Sequence, residues 1–469
     1  MDTFLKNIVA GACAVALSGC ASLSADRGLG PVQEILGTRV GEKLTFAASD
    51  ESRLAVRSAV QERLSRPISA ADAIAIALMN NPGLQAAYAE LRIAEADLVQ
   101  AARLRNPGFS IGRFTRGEER EIERRIVLDV AGLLTLPWRV EFERRLYAGS
   151  QLRAAAEVAR VADEARRAWV EAVAAEESAR YAAQVQEAAQ ASAEIAAQMA
   201  RAGNFNRLTQ LREQVFHAEA TAQLARARQA SVAARERLTR LMGLWGEQVA
   251  FKLPERLPDL PAAPRELRDA ESAAIAQRLD IRAARAETEA LAGTLGLTRA
   301  TRFVNVLELG YERDSSNTEG RRTGYEVELS LPIFDWGDAR IARAEASYMR
   351  SLSRTAEIAI HARSQVRENH NAYRTAYDLA RHYRDEVVPL RKRISEENLL
   401  RYNGMLISVF ELLADSREQV AAVMAAIEAI RDFWIADASL ETAVTTGTPG
   451  AAPAMKASVG TAAAATGGH

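Results

Sequence analysis

The chain has 469 residues, with 60 Lys and Arg against 61 Asp and Glu and a net charge of −1. At 26% charged and 48% hydrophobic it is an ordered chain, not a polyelectrolyte, and nothing in that balance points to nucleic acid. Its positive charge is almost all arginine, interleaved with glutamate along helical stretches, the pattern of a solvated, ion-paired face.

Residues 1–19 read as an export signal: Lys6 forms the basic start, Ile8 to Leu17 the apolar run, and Leu17-Ser18-Gly19-Cys20 the cleavage site. The run is too short to span a membrane by itself. Leu-Ser-Gly-Cys resembles a bacterial lipobox, which implies that Cys20 becomes a lipid-bearing N-terminus. With Ala21 rather than Asp next to it, that resemblance implies outer-membrane sorting. Of the two cysteines Cys13 lies in the signal, so the mature chain holds Cys20 alone and no internal disulfide.

Residues 20–65 read as an extended, lipid-anchored lead-in. Helical periodicity begins at Ser69, with Asp72 completing a capping box. It passes Asn80-Asn81, restarts at Pro82, and carries Leu84, Ala87, Leu91, Ala94 and Leu98 on one stripe. From Pro107 the pattern changes to period two. Phe109 and Ile111 lead through Arg116-Gly117-Glu118-Glu119 into Ile126, Leu128 and Val130, and Leu134-Thr135-Leu136-Pro137-Trp138 closes a hairpin over about 107–137. Arg113 and Arg124 interrupt its apolar face. A long Ala-rich helix then runs to about Arg201, breaks at Gly203-Asn204-Phe205-Asn206, and returns from Leu208 to Leu241. About 60 helical residues extend roughly 90 Å, longer than a globular domain uses. This first unit covers 66–250, and a proline-rich linker over 251–265 follows.

The plan then repeats over 266–443: a helix, a hairpin over about 303–333, and a long helix from Gly337 to about Arg401. A break at Tyr402-Asn403-Gly404-Met405 leads to a return helix, and 444–469 is an Ala/Gly/Thr/Pro-rich tail of disordered composition. The second hairpin is the cleaner one. Leu307, Leu309, Tyr325, Val327, Leu329 and Leu331 alternate with Glu308, Glu326 and Glu328, giving an apolar face for lipid and an acidic face for water. Arms of about ten residues match a tilted strand crossing a bilayer. Four strands cannot close a barrel, which takes about eight or more, so several chains must share one. Trp138 and Trp336, beside the strand-ending Pro137 and Pro332, belong at the membrane boundary, where indole rings favour the headgroup layer.

These features together resemble the TolC-like outer-membrane efflux proteins over about residues 65–443. The residues that carry the resemblance are Asn80-Asn81-Pro82-Gly83-Leu84, the Leu-Pro closures at Pro137 and Pro332, the linker from Leu241-Met242-Gly243 to Leu257-Pro258, and the two glycine-containing breaks. The resemblance implies a mainly α protein with a small β part, a homotrimer with a shared twelve-stranded transmembrane β-barrel and a periplasmic α-helical barrel. It implies a periplasmic tip formed by Gly203, Asn204, Tyr402, Asn403, Gly404 and Met405, which meets the adaptor of a tripartite efflux or type I secretion system powered by an inner-membrane pump. Relatives commonly place an acid at the position of Leu413. Here the aperture is lined either by Glu411 and Asp415, one turn apart, or by Phe410 and Leu413.

The five histidines show no ligand spacing, and no phosphate loop, nucleophile elbow, metal site or cofactor motif occurs, so an enzyme is not expected. The competing reading is a lipid-anchored periplasmic coiled-coil scaffold without channel activity. The apolar hairpin face separates the two, since a tether has no use for it.

Overall fold

The computed structural model describes residues 22–37, 41, 43–203, 205–266, 269–300, 307–329 and 333–447. The signal segment, Cys20, Asn204, Leu331, Pro332 and most of the tail lie outside the described residues. In chain order the elements are α1 (Leu29–Leu36), α2 (Asp50–Leu64), α3 (Ala70–Asn80), α4 (Pro82–Ala101), β1 (Gly108–Arg116), β2 (Glu119–Asp129), α5 (Val130–Arg201) and α6 (Arg207–Met242). They continue with α7 (Ala270–Gln277), α8 (Leu279–Ala300), β3 (Leu307–Ser316), β4 (Arg322–Leu329), α9 (Asp338–His382), α10 (Val388–Asn403) and α11 (Val409–Thr445). The chain forms two compact units, one of 1–53, 82–159 and 275–361, the other of 54–81, 160–274 and 362–469.

The first unit holds the sheet. Both hairpins join in one antiparallel sheet of order β1-β2-β3-β4, with β2 and β3 paired across the repeat boundary. The lead-in is not simply extended: it forms α1, entered through Gly28 at φ 78°, and α2. Residues 43–48 pass beside α4, where Gln85 Oε1 accepts from Ala47 N–H at 2.9 Å and Gln85 Nε2 donates to the Thr45 carbonyl at 3.0 Å. Nearer the end of α4, Ser24 N–H donates to Glu95 Oε1 at 2.7 Å, and Arg92 donates to the Ser24 carbonyl at 3.1 Å.

The second strand ends earlier than its alternation predicts. Pro137 does not close it; β2 stops at Asp129, and Pro137 and Trp138 lie inside α5. The cause is a cap. Asp129 accepts from the Gly132 N–H at 2.6 Å, which starts the helix, and Pro137 then removes a single i→i−4 bond close to that start.

The second unit is helical and tied together by polar pins. Ser69 and Asp72 form the expected capping box. Burial pushes the Asp72 carboxyl up, but hydrogen bonds from Ser69, the charge of Arg66 and a hydrogen bond from Arg63 outweigh it and hold the group below the usual carboxylate value. Asn80 Nδ2 donates to the Met242 and Gly243 carbonyls at 2.9 and 2.8 Å, and Asn81 Nδ2 to the Leu241 carbonyl at 2.8 Å. The paired asparagines thus cap the carbonyl end of α6, where Gly243 turns left-handed at φ 65°.

The proline-rich linker has no ladder of its own, so side chains satisfy its carbonyls. Tyr377 donates to the Pro261 and Ala262 carbonyls at 3.1 and 3.0 Å, and Trp434 donates to Pro258 at 3.0 Å. Leu260 is thereby seated in a core of Tyr373, Tyr377, Phe433 and Leu440. The long second-repeat helix is also interrupted, against the expectation of one run to Arg401. A π-turn at Tyr383–Val387 separates α9 from α10, and Pro389 starts the latter.

Candidate functional site: a two-faced sheet and two helix turns

The sheet's register sorts its side chains onto two faces, an apolar one interrupted by Arg113, Arg120, Arg124 and Arg313, and an acidic one. Pairings Phe109↔Ile126, Ile126↔Tyr311 and Tyr311↔Tyr325 put four large apolar residues on one rung, and the Tyr311 and Tyr325 rings lie 5.5 Å apart. The next rung toward the helices carries Leu128, Leu309 and Val327, and Leu307 follows. Val327 and Tyr325 are 64% and 83% exposed, too much apolar surface for water to leave uncovered. The opposite face holds Glu121, Glu123, Glu308, Glu312, Glu326 and Glu328, with Phe114 and Val127 as its apolar exceptions. Arg125 sits among these acids and pairs with Glu312 at 3.6 Å and with Glu326. Among the described residues β1 and β4 each pair on one side only, so the sheet has two open edges.

Exposed apolar residues continue past the strands. Leu133, Leu134 and Trp138 on α5 are 53%, 61% and 60% exposed, and Phe334 and Trp336, just before α9, are 98% and 61% exposed. In the first unit a cavity of about 530 Å³ is lined by Leu134, Trp138, Gly293, Gly296, Leu297 and Leu307, among others.

In the second unit the two helix reversals differ in their stereochemistry. Gly203 is left-handed at φ 78°, as a tight break requires, and Asn206 caps α6 by accepting from Thr209 N–H at 2.9 Å. Gly404 is not left-handed. It sits at φ −81°, and Met405 takes φ 58° instead. Leu406 N–H donates to the Arg401 carbonyl at 2.8 Å and Met405 N–H to Tyr402 at 2.9 Å, the bonding of a Schellman turn whose special position falls one residue later than the glycine. A Cβ on Gly404 would meet only ordinary contacts of 3.5 Å or more. Gly404→Ala is therefore expected to be nearly neutral, Met405→Gly to tighten the turn by about 1 kcal/mol and Gly203→Val to loosen its own by a similar amount or more. Hydrogen exchange of the amides flanking each turn checks all three.

Tyr402 and Asn403 end α10, Tyr402 is 38% exposed, and Met405 and Leu406 are 93% and 78% exposed. Of the aperture residues, Glu411 and Asp415 are four apart on α11 yet unlike in setting. Glu411 is exposed in the first turn, while Asp415 is 7% exposed and its Oδ2 has no hydrogen-bond partner among the described residues. Phe410 and Leu413 lie on the same helix, with side chains outside the described residues. A second charged group beside them escaped sequence reasoning. Glu213 on α6, its side chain 3% exposed, accepts from Arg417 of α11 at 3.1 Å and from Ser192 of α5 at 2.9 Å, while the Arg417 guanidinium stacks over Phe216 at 4.3 Å. One carboxylate joins three helices. Only the pairing of α6 with α11 reveals it; a lone Glu in a Glu-rich helix carries no such signal.

Residues 271–443 match the family model for outer membrane efflux proteins. Among curated proteins none matches. Solved structures match over most of the chain: the MtrE outer membrane channel of Neisseria gonorrhoeae in its open state, at 19% identity and TM-score 0.68, covers 82% of this chain and 89% of its own. The Campylobacter jejuni CmeC outer membrane channel, at 14% identity and TM-score 0.67, covers 88% and 92%. The outer-membrane channel OprN, at 18% identity and TM-score 0.67, covers 87% and 95%. The family match covers the C-terminal part of the chain, and the chain as a whole has the fold of these outer-membrane channels.

Proposed function

We propose that the chain is the outer-membrane exit duct of a tripartite efflux or type I secretion system, a homotrimer that docks a periplasmic adaptor and an inner-membrane pump. It acts as a passive channel, with no chemistry of its own. The observation that carries this reading is the sheet: one apolar face, one acidic face, and two open edges. Such a sheet is unstable alone in water or lipid, because its edge N–H and C=O groups have no partner. Three copies edge to edge supply twelve strands, close the edges and enclose the acidic faces around water. The helix turns at Gly203 and at Tyr402–Met405, with Met405 and Leu406 bare, form the adaptor contact, and the cargo passes an aperture on the α11 side of those turns. The acidic lining favours cations over anions at similar size.

Planar bilayers test this directly. Purified protein should give discrete, cation-preferring conductance steps. Membrane-bound protein that cross-links an adaptor yet never conducts would instead establish the scaffold reading.

Lipidation at Cys20 belongs to the same reading. The chain passes Ser24 beside Glu95, less than two turns before the end of α4 that leads into β1. Four residues span at most about 14 Å, so an acyl chain on Cys20 falls within reach of the strand bases. Palmitate labelling of the wild type and its loss in Cys20→Ser are expected; label retained in the variant contradicts the assignment. The variant should remain partly functional if it is still exported, since the shared barrel also anchors it.

A further inference from the structure

The two arginines that interrupt the apolar pattern of the first hairpin acquire partners in the sheet. Arg124 is the Cα partner of Arg313 across β2 and β3, and of Ile111 on its other side. One rung nearer the hairpin turns, Arg113 shares the same face opposite Ile122, and Arg120 lies one rung beyond that. All four are on the face that carries Phe109, Ile126, Tyr311, Val327 and Leu309. Read from the turns toward the helices, that face is tiered: arginine, then the aromatic rung of Phe109, Tyr311 and Tyr325, then aliphatic side chains.

No carboxylate shares this face on the described strand residues. None of the four guanidinium groups has an ion-pair partner among the described residues; the one polar side-chain contact is Arg124 with Ser315 Oγ at 3.4 Å. The opposite face shows the contrast, since its Arg125 is matched by Glu312 and Glu326. Cross-strand Cα atoms lie about 4.5–5.5 Å apart, so Arg124 and Arg313 repel each other unless an anion sits between them. Three of the four are exposed and Arg124 is half-buried, so the tier is open to a ligand from outside.

We propose that this arginine tier binds the phosphate groups of anionic glycolipid headgroups at the outer surface of the bilayer. The inference rests on the reading above, in which the tiered face meets lipid. The helices leave the sheet from the end opposite the hairpin turns, so the turns and the arginines reach the outer leaflet, whose glycolipid carries phosphates at the boundary of its acyl chains. Guanidinium forks bind phosphate oxygens bidentately, and the aromatic rung sets the depth at which the headgroup meets them.

Native mass spectrometry of the purified protein, titrated with bis-phosphorylated lipid A, phosphatidylglycerol or phosphatidylcholine, tests it. Wild type should retain lipid A in preference to both phospholipids. Arg113→Gln/Arg124→Gln/Arg313→Gln should bind it roughly tenfold more weakly, and the corresponding triple Lys variant should fall between them, because charge remains but the fork is lost. Conductance in phosphatidylcholine bilayers, measured on the same samples, reports separately on folding and on the channel reading. Equal lipid A retention by wild type and the Gln variant, with normal conductance in both, overturns this proposal alone. So does equal affinity of the wild type for phosphatidylglycerol. Absence of conductance from the wild type removes the channel reading, and this proposal falls with it.

Discussion

Val327→Arg is expected to abolish assembly in the outer membrane, while Glu328→Gln, one residue along the same strand, assembles normally. Val327 sits in the aliphatic tier between Leu309 and the open edge, 64% exposed in a single chain. A cation near the midplane of a barrel's lipid face costs about 2–4 kcal/mol, and the proposed trimer would incur that cost three times. The total approaches the whole stability of an ordinary domain. Glu328 lies on the acidic face opposite Glu308, with no ion-pair partner among the described residues, so removing its charge relieves repulsion and lowers only cation preference. Glu326 is a poorer control, since its substitution would also strip Arg125 of a partner. Heat-resistant oligomer in outer-membrane fractions is the readout. Equal assembly of Val327→Arg and Glu328→Gln would mean that the two faces are assigned the wrong way round or that neither meets lipid.

The second large effect is expected at Arg417. Replacing it with Met keeps the stem but leaves the buried Glu213 carboxylate with Ser192 as its one remaining hydrogen-bond donor among the described residues. Leaving a buried charge half-satisfied costs about 1–3 kcal/mol or more, and here the loss falls where α6 and α11 begin. Those helix ends should separate, with faster hydrogen exchange over 207–216 and longer or larger openings in single-channel records. Adding Glu213→Gln should recover much of the loss, because both charges are then gone. If Arg417→Met leaves exchange and gating unchanged, the three-helix clasp does not hold the aperture.

Much of the architecture is written in local patterns. The capping box at Ser69 and Asp72, the restart at Pro82, the alternation from Leu307 to Leu329 and the duplication all follow from periods and punctuation that act over a few residues. The misreadings share a cause as well. Leu134-Thr135-Leu136 alternates like a strand, but three residues cannot distinguish a strand end from a helix start; the deciding signal was Asp129 as a cap. Pro389 is a legible break between Gly337 and Arg401, and the π-turn before it absorbs the change. Gly404 marked a turn correctly, but which residue becomes left-handed depends on which carbonyls the following amides reach, and that fell to Met405. The glycine-rich start of the lead-in concealed α1, which owes its place to packing of Leu29, Val32 and Leu36. Beyond any local pattern lie the contacts between repeats. The opposition of Arg124 and Arg313 and the clasp of Glu213 with Arg417 join residues far apart in sequence, and each partner alone reads as an ordinary surface charge.

The shared barrel is tested most directly by closing its edges with a covalent bond. The chain has two cysteines, Cys13 and Cys20, so in a Cys13→Ser/Cys20→Ser background new cysteines are the only thiols present. Single cysteines scanned along β1 and along β4, combined in pairs and oxidised in intact outer membranes, should yield a ladder of covalent dimers and trimers at one register and its diagonal neighbours, with trimer as the largest product. Membrane-inserted protein that gives no intermolecular disulfide between β1 and β4 at any register, or ladders that run beyond three chains, would contradict a closed barrel built from three copies of this sheet.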